Sequence, residues 1–190
     1  MKNNLIKFLL FIFLAIIYLN FSYADEQFKF NITEIEIIED GNLIVGSKNG
    51  KAETNDGYEI FAENFVYNKS KNILNVSGNV KFVNKDEDFI IFSDKATYLK
   101  NEEIVFTEGN SKAIDINNTI TASNFKFDKI KNIINADNNV KFFDKEKDTV
   151  IESDKATYLK NEEIVFTEGN SKAIDINNTI TASNFKFDKI

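Results

Sequence analysis

Cysteine, histidine, proline, tryptophan and arginine are all missing from this 190-residue chain, and its single methionine is Met1. Without histidine or cysteine there is no zinc finger, no Cys/His metal centre, no Ser-His-Asp triad, no thiol nucleophile and no disulfide. Without arginine there is no bidentate fork for phosphate. The 23 basic residues are therefore all lysine, and against 30 acidic residues they leave a net charge of −7, the wrong sign for a nucleic-acid partner. Ser77, Ser93 and Thr107 have no histidine to activate them. A lysine acting as a base would need deep burial, and the lysines sit next to turns. Glu102-Glu103 and Glu162-Glu163 are adjacent in strand-like stretches, so each pair points to opposite faces and cannot converge on one glycosidic bond. The acidic runs Asp86-Glu87-Asp88 and Asp144-Lys145-Glu146-Lys147-Asp148 lack the glycine and terminal glutamate of a calcium-binding loop, and are read as solvated hairpin turns. The composition argues against an enzyme and predicts neither metal nor cofactor.

What is present is apolar and aromatic. Hydrophobic residues make up 43% of the chain, with 19 Phe and 6 Tyr, too much for a disordered polymer. The chain opens as a secretory signal peptide over residues 1–24. Lys2 and Lys7 precede an apolar run from Phe8 to Leu19, shorter than the ~20 residues of a transmembrane helix. Ser22-Tyr23-Ala24 then supplies small residues at a cleavage site, and Asp25-Glu26 begins a charged mature chain. Loss of Lys2 and Lys7 leaves 21 lysines against 30 acids, a net of −9. An exported chain without cysteine must draw its stability from packing alone.

The remainder is repetitive. Residues 93–130, SDKATYLKNEEIVFTEGNSKAIDINNTITASNFKFDKI, recur unchanged as residues 153–190, an offset of 60. Residues 61–82 match 121–142 more loosely. Related half-units sit inside this repeat: Tyr67, Tyr98 and Phe127 align, as do Ile73, Ile104 and Ile133, and Asn79, Asn110 and Asn139. Each half-unit reads as an aromatic strand, a polar turn, an apolar strand, Gly-Asn or Asn-Asn, a further strand and an acidic turn. Strand-sized runs rich in Ile, Val, Phe, Tyr and Thr, bounded by Asn, Asp, Gly and Lys, predict an all-β chain.

The alternation has a phase. Leu74, Val76, Gly78, Val80 and Phe82 share one face of an extended strand, while Asn75, Ser77, Asn79 and Lys81 share the other. Ile134, Ala136, Val140 and Phe142 repeat the pattern. Phe65 pairs in phase with Tyr67, and Phe125 with Phe127; a bulge is expected near Ala122 and Asn124. Ile104-Val105-Phe106 runs together, leaving the inward face of that half-unit open. One-faced strands at this spacing must close as a sandwich, a jelly roll or a folded-over sheet.

Ala62-x-x-Phe65-x-Tyr67, Ile73-Leu74-Asn75-Val76, Gly78-Asn79-Val80 and Ser93-Asp94-Lys95-Ala96-x-Tyr98 resemble the OstA-like repeats. These occur in the periplasmic lipopolysaccharide-transport proteins LptA and LptC and in the N-terminal part of LptD. Glu108-Gly109-Asn110 and Asn138-Asn139-Val140 continue the pattern, over roughly residues 52–190. The resemblance implies a repetitive antiparallel β-jelly roll, folded over into two sheets and open along one side, whose apolar interior carries lipopolysaccharide acyl chains. Groove candidates are then Phe65, Tyr67, Leu74, Val76, Val80, Phe82, Tyr98, Phe125, Phe127, Ile134, Val140 and Phe142. Asn138 in place of the motif glycine, and Ser111 and Ser171 in place of the valine, are expected to pack less deeply. Residues 25–51 form lead-in strands, and Phe28 to Asn42 resembles the start of an LptD-type N-terminal domain.

The implied partners are lipopolysaccharide or a related lipid, other OstA-like modules stacked through edge strands, and the outer-membrane assembly machinery. The implied location is the periplasm. Ile190 corresponds to Ile130, which is followed by the next strand of the repeat, so the pattern predicts that the native chain continues past 190. The competing expectation is a passive repetitive β protein, structural or adhesin-like.

Overall fold

The computed structural model describes residues 27–84 and 86–188. The expected signal peptide and cleavage site lie outside the described residues. So do Lys85, Lys189 and Ile190.

The strands are β1 Phe28–Ile38, β2 Leu43–Thr54, β3 Tyr58–Ala62, β4 Asn64–Asn68, β5 Ile73–Asn84, β6 Phe89–Leu99 and β7 Ile104–Ile114. They continue as β8 Asn118–Asp128, β9 Ile133–Asp144, β10 Thr149–Leu159, β11 Ile164–Glu168, β12 Ser171–Ile174, β13 Thr179–Ala182 and β14 Lys186–Asp188. A single 3-10 turn at Glu39–Gly41 is the one helical element among the described residues. All strands join one 14-stranded sheet in which neighbours run antiparallel. β3 and β4 lie end to end between β2 and β5, and pair with opposite halves of both. The chain is all-β, as its strand pattern predicts, and a folded-over jelly roll, as the resemblance implies.

The fold-over comes from a crease in mid-strand. The register slips between Ser77 and Val80, between Glu108 and Ser111, and between Ser153 and Lys155. At the crease, successive residues take left-handed backbone: Lys48 and Asn49 in β2, Gly78 and Asn79 in β5, Gly109 and Asn110 in β7, Asn138 and Asn139 in β9. Glycine and asparagine tolerate that region best, which is why Gly-Asn and Asn-Asn punctuate the strands. The crease is also tight: a Cβ at Gly78 would lie 2.5 Å from a carboxylate oxygen of Glu63. The asparagine then donates to that acid, Asn79 Nδ2 to Glu63 Oε1 at 2.6 Å and Asn110 Nδ2 to Asp94 Oδ2 at 2.9 Å.

This explains the substitution at Asn138. The residue 60 positions after Glu63 is Ser123, whose short side chain leaves room for the Cβ that Gly78 cannot carry. Ser111 and Ser171 correct the expectation of shallow packing. Each is 1% exposed, because the hydroxyl has partners inside: Ser111 Oγ shares a 2.7 Å hydrogen bond with Thr107 Oγ1, and its contact with the Ser123 carbonyl is 3.2 Å. A buried hydroxyl costs little once hydrogen-bonded.

The crease also settles the phase. In β5 and β9 even-numbered residues face inward on both sides of the bend. In β6, β8 and β10 the inward set changes from one parity to the other, as from Phe89, Ile91 and Ser93 to Ala96 and Tyr98. The inward face left open in β7 is Val105, Thr107, Ser111 and Ala113, while Phe106 points out.

Candidate functional site

The bend divides the sheet into two halves that face each other. Their inward rings meet across the gap: Phe82 and Tyr98 at 5.7 Å between centroids, Phe89 and Phe127 at 5.1 Å, Phe142 and Tyr158 at 5.2 Å. None of these is a register pair; Phe82 opposes Ile91 and Leu74 opposes Tyr98. The contacts are therefore between halves and not along a ladder. Phe82–Tyr98 and Phe142–Tyr158 are edge-to-face and Phe89–Phe127 is tilted; an edge-to-face pair adds about 0.5–1.5 kcal/mol beyond area burial.

Every groove candidate lies in this interior. Phe65, Tyr67, Leu74, Val76, Val80, Phe82, Tyr98, Phe125, Phe127, Ile134, Val140 and Phe142 are all buried in one cluster. The structure adds residues that sequence reasoning did not single out: Phe28, Tyr58, Ile60, Phe89, Ile91, Val105, Ile120, Ile151 and Tyr158. Several of these lie in β6, β8 and β10, where the change of parity hides them from a simple alternation.

The two halves are joined covalently along the crease and by side chains along the opposite rim. One lip of that rim carries the turns after β6, β8 and β10, with Lys100, Lys129 and Lys160. The other carries the turns after β2, β5 and β7, with Asp56, Glu87 and Asp115. Backbone hydrogen bonds run along a lip, as from Lys129 N to Glu103 O at 3.0 Å and from Lys160 N to Asn132 O at 3.1 Å. Across the rim, Lys129 Nζ meets Asp56 Oδ2 at 2.6 Å, Lys100 Nζ meets Asp56 Oδ1 at 3.4 Å, and Lys160 Nζ meets Glu87 Oε2 at 3.6 Å. Asn118 Nδ2 donates to Tyr158 OH at 2.9 Å on the same rim.

Lys100, Lys129 and Lys160 sit next to turns as expected, but their side chains are not left to solvent there. The Lys129 side chain is 5% exposed and that of Lys160 9%. Both ammonium groups lie over rings, Lys129 at 3.9 Å from the Tyr58 centroid and Lys160 at 3.6 Å from that of Phe89. Likewise Glu87 belongs to a turn but also to an ion pair. No spacing rule signals these contacts, since Lys129 and Asp56 are 73 positions apart.

The charges respond to this setting. Burial disfavours the charged form of Asp56, but hydrogen bonds from Lys129 and Thr54 and the charges of Lys129 and Lys100 outweigh it. The carboxyl is held well below its usual range. Glu103 behaves alike: burial opposes its charge, and hydrogen bonds from Lys100, Lys129 and Tyr98 prevail. Burial pulls Lys160 below the usual lysine value against the attraction of Glu87. Burial pushes the Tyr58 hydroxyl up to about 12. The interior therefore offers hydrocarbon and neutral hydroxyls, with charge confined to the rim. Among the described residues, no cluster of acidic side chains is arranged to hold a metal ion, and no helix is long and apolar enough to cross a membrane.

Comparison with solved structures places this architecture. The chain is similar to LptH, the LptA-homologous periplasmic component of the lipopolysaccharide transport device of Pseudomonas aeruginosa. The TM-score is 0.54 over 58% of this chain and 81% of that one, at 16% sequence identity. The fold is that of an LptA homologue. No protein-family model and no curated protein matches the sequence. The likeness to LptH is therefore one of fold, at low residue identity.

Proposed function

We propose that this protein is a periplasmic lipid-transport module that holds the acyl chains of lipopolysaccharide, or of a related lipid, between its two half-sheets for delivery to the outer membrane. The supporting observation is the continuous aromatic and aliphatic interior, closed covalently on the crease side and only by side chains on the rim. Burial contributes about 0.8 kcal/mol per CH₂, so a partly covered chain of about a dozen carbons is held usefully. β1 leaves one backbone edge unpaired among the described strands, which suits stacking with another β module of the same kind by strand addition. The opening segment favours an LptD-type N-terminal domain within this reading.

The second reading is a passive β repeat. It is favoured by the ring contacts between the halves, which fill the interior with the protein's own side chains. A photo-crosslinker decides between the two. Placed at Phe82 or Phe142 it should form lipid adducts, whereas at outward Lys81 or Lys141 it should not. Equal labelling at both positions, or none with lipopolysaccharide present, would identify an ordinary closed core.

A further inference from the structure

The interior is closed in this structure, so an acyl chain inserted from the side must part the lips. Parting them separates Lys129 and Lys100 from Asp56, and Lys160 from Glu87. Lys129 keeps an anion on its own lip, because Glu103 also binds it. Lys160 is the sharper case: its ion pair is with Glu87 of the opposite lip, and its ammonium stands over the buried Phe89 ring. Parting the lips withdraws both Glu87 and the Phe89 ring from Lys160 and opens its ammonium to water. An opened rim therefore presents the Lys160 ammonium without its carboxylate partner, accessible to another anion.

We propose that the rim is an exchangeable latch, in which Lys160, Lys129 and Lys100 pass from the carboxylates of the opposite lip to the anionic head group, phosphate or carboxylate, of a lipid whose chain enters the interior. The inference rests on the lipid-binding reading above and adds to it a head-group site and a mode of gating. The geometry suits the task. The lysines hang over the opening through which a chain must pass, so the head they hold stays at the rim while the tail lies inside. A strongly hydrated lysine ammonium serves as a point charge and does not impose the planar fit that arginine would. A negatively charged protein thereby gains a local positive site for a negatively charged ligand once its own acids swing away. The lipid-free form covers that site with Asp56 and Glu87, so free anions meet a neutralised rim.

The test compares dodecyl phosphate with dodecyl maltoside, which share a tail and differ in head charge, and includes inorganic phosphate alone. Binding is measured by calorimetry on the wild type and on Glu87→Gln, Asp56→Asn, Lys160→Gln and Lys129→Gln. Far-ultraviolet circular dichroism checks that each variant keeps its β spectrum. Glu87→Gln and Asp56→Asn remove the carboxylate and leave the lysine, so both detergents should bind more tightly and dodecyl phosphate should gain most. Lys160→Gln and Lys129→Gln also break the latch, so dodecyl maltoside should gain. The preference for dodecyl phosphate should nevertheless fall, by about tenfold if one charge-assisted contact is lost. Inorganic phosphate should bind no variant measurably better than the wild type.

Equal gains for both detergents in all variants would show a plain latch with no head-group exchange, and would overturn the proposal while leaving the lipid-binding reading intact. No change in any variant would overturn it in the same way. Inorganic phosphate bound as tightly as dodecyl phosphate would mean a free-anion site and would equally overturn it. Failure of every form, wild type included, to take either detergent would overturn this proposal together with the lipid-binding reading. If Lys129→Gln loses its β spectrum, Lys160→Gln carries the comparison alone, since it lies in a separate turn.

Discussion

Residues 93–130 and 153–190 have the same sequence and different structures. In the first copy β7 and β8 are continuous strands; in the second the same residues form β11 and β12, then β13 and β14, each interrupted at the crease. Ile120 is 2% exposed and its copy Ile180 59%. Phe125 and Phe127 are buried, whereas Phe185 and Phe187 are half-buried. The difference lies in the neighbours. β8 is flanked by β7 and β9, while β13 pairs with β12 alone and β14 with β11 alone among the described strands. The polar contacts of the two tyrosines also differ, because Asn118 and Asp115 stand 60 positions after Tyr58 and Asn55. Tyr98 bonds Glu103 and Lys129, but Tyr158 meets Asn118 and Asp115. Local sequence proposes a strand and its inward face; the adjoining strand decides whether that face is dry.

The comparison is most exposed to aromatic truncation. Phe127→Ala should cost about 3–5 kcal/mol, since the ring is fully buried against Phe89. Phe187→Ala should cost under about 1 kcal/mol. Urea denaturation of the two variants measures the gap, and equal losses would mean that the second copy is as well packed as the first.

The crease predicts a coupling next in size. Gly78→Asn should destabilise by about 1–3 kcal/mol, because the new Cβ meets Glu63. In a Glu63→Ser background, which reproduces the Ser123 and Asn138 pair, most of that loss should vanish. A double-mutant cycle reads the interaction directly. Additive losses would remove the steric account of Asn138.

Acid should test the rim. Asp56 and Glu103 both have folded pKa values below their unfolded ones of 3.8 and 4.5. The folded state therefore holds its protons less tightly, and the stability these groups contribute is complete above about pH 5 and is lost as the pH falls below about 4. A stability profile in urea should show that acid limb in the wild type, and a shallower one in Asp56→Asn. An unchanged limb would show that the ion pairs across the rim contribute nothing.

The smallest effect is a control. Ile116 and Ile176 occupy the same turn in both copies and are both strongly exposed. Ile116→Asn and Ile176→Asn should each shift stability by no more than about 0.5 kcal/mol. A larger loss at either position would mean that the turn is covered in solution.

Sequence alone determined the all-β class, the period of 60 and the inward set of β5 and β9, because strand alternation and left-handed Gly-Asn steps are local properties of the chain. It also marked every aromatic of the candidate groove as inward. It did not reveal Phe89 and Ile91 in β6, Ile120 in β8 or Ile151 and Tyr158 in β10, because at the crease one residue of these strands stands opposite two of β5, β7 or β9, the inward parity changes there, and that register is set by pairing with the neighbouring strand. Nor did it reveal the rim. Lys129 and Asp56 become neighbours only when the sheet folds on its crease, and Lys160 becomes buried only when Glu87 and Phe89 are brought to it from the other half. Charge contacts between distant turns leave no periodic trace, so it was the tertiary fold that decided which lysines face water and which close the interior.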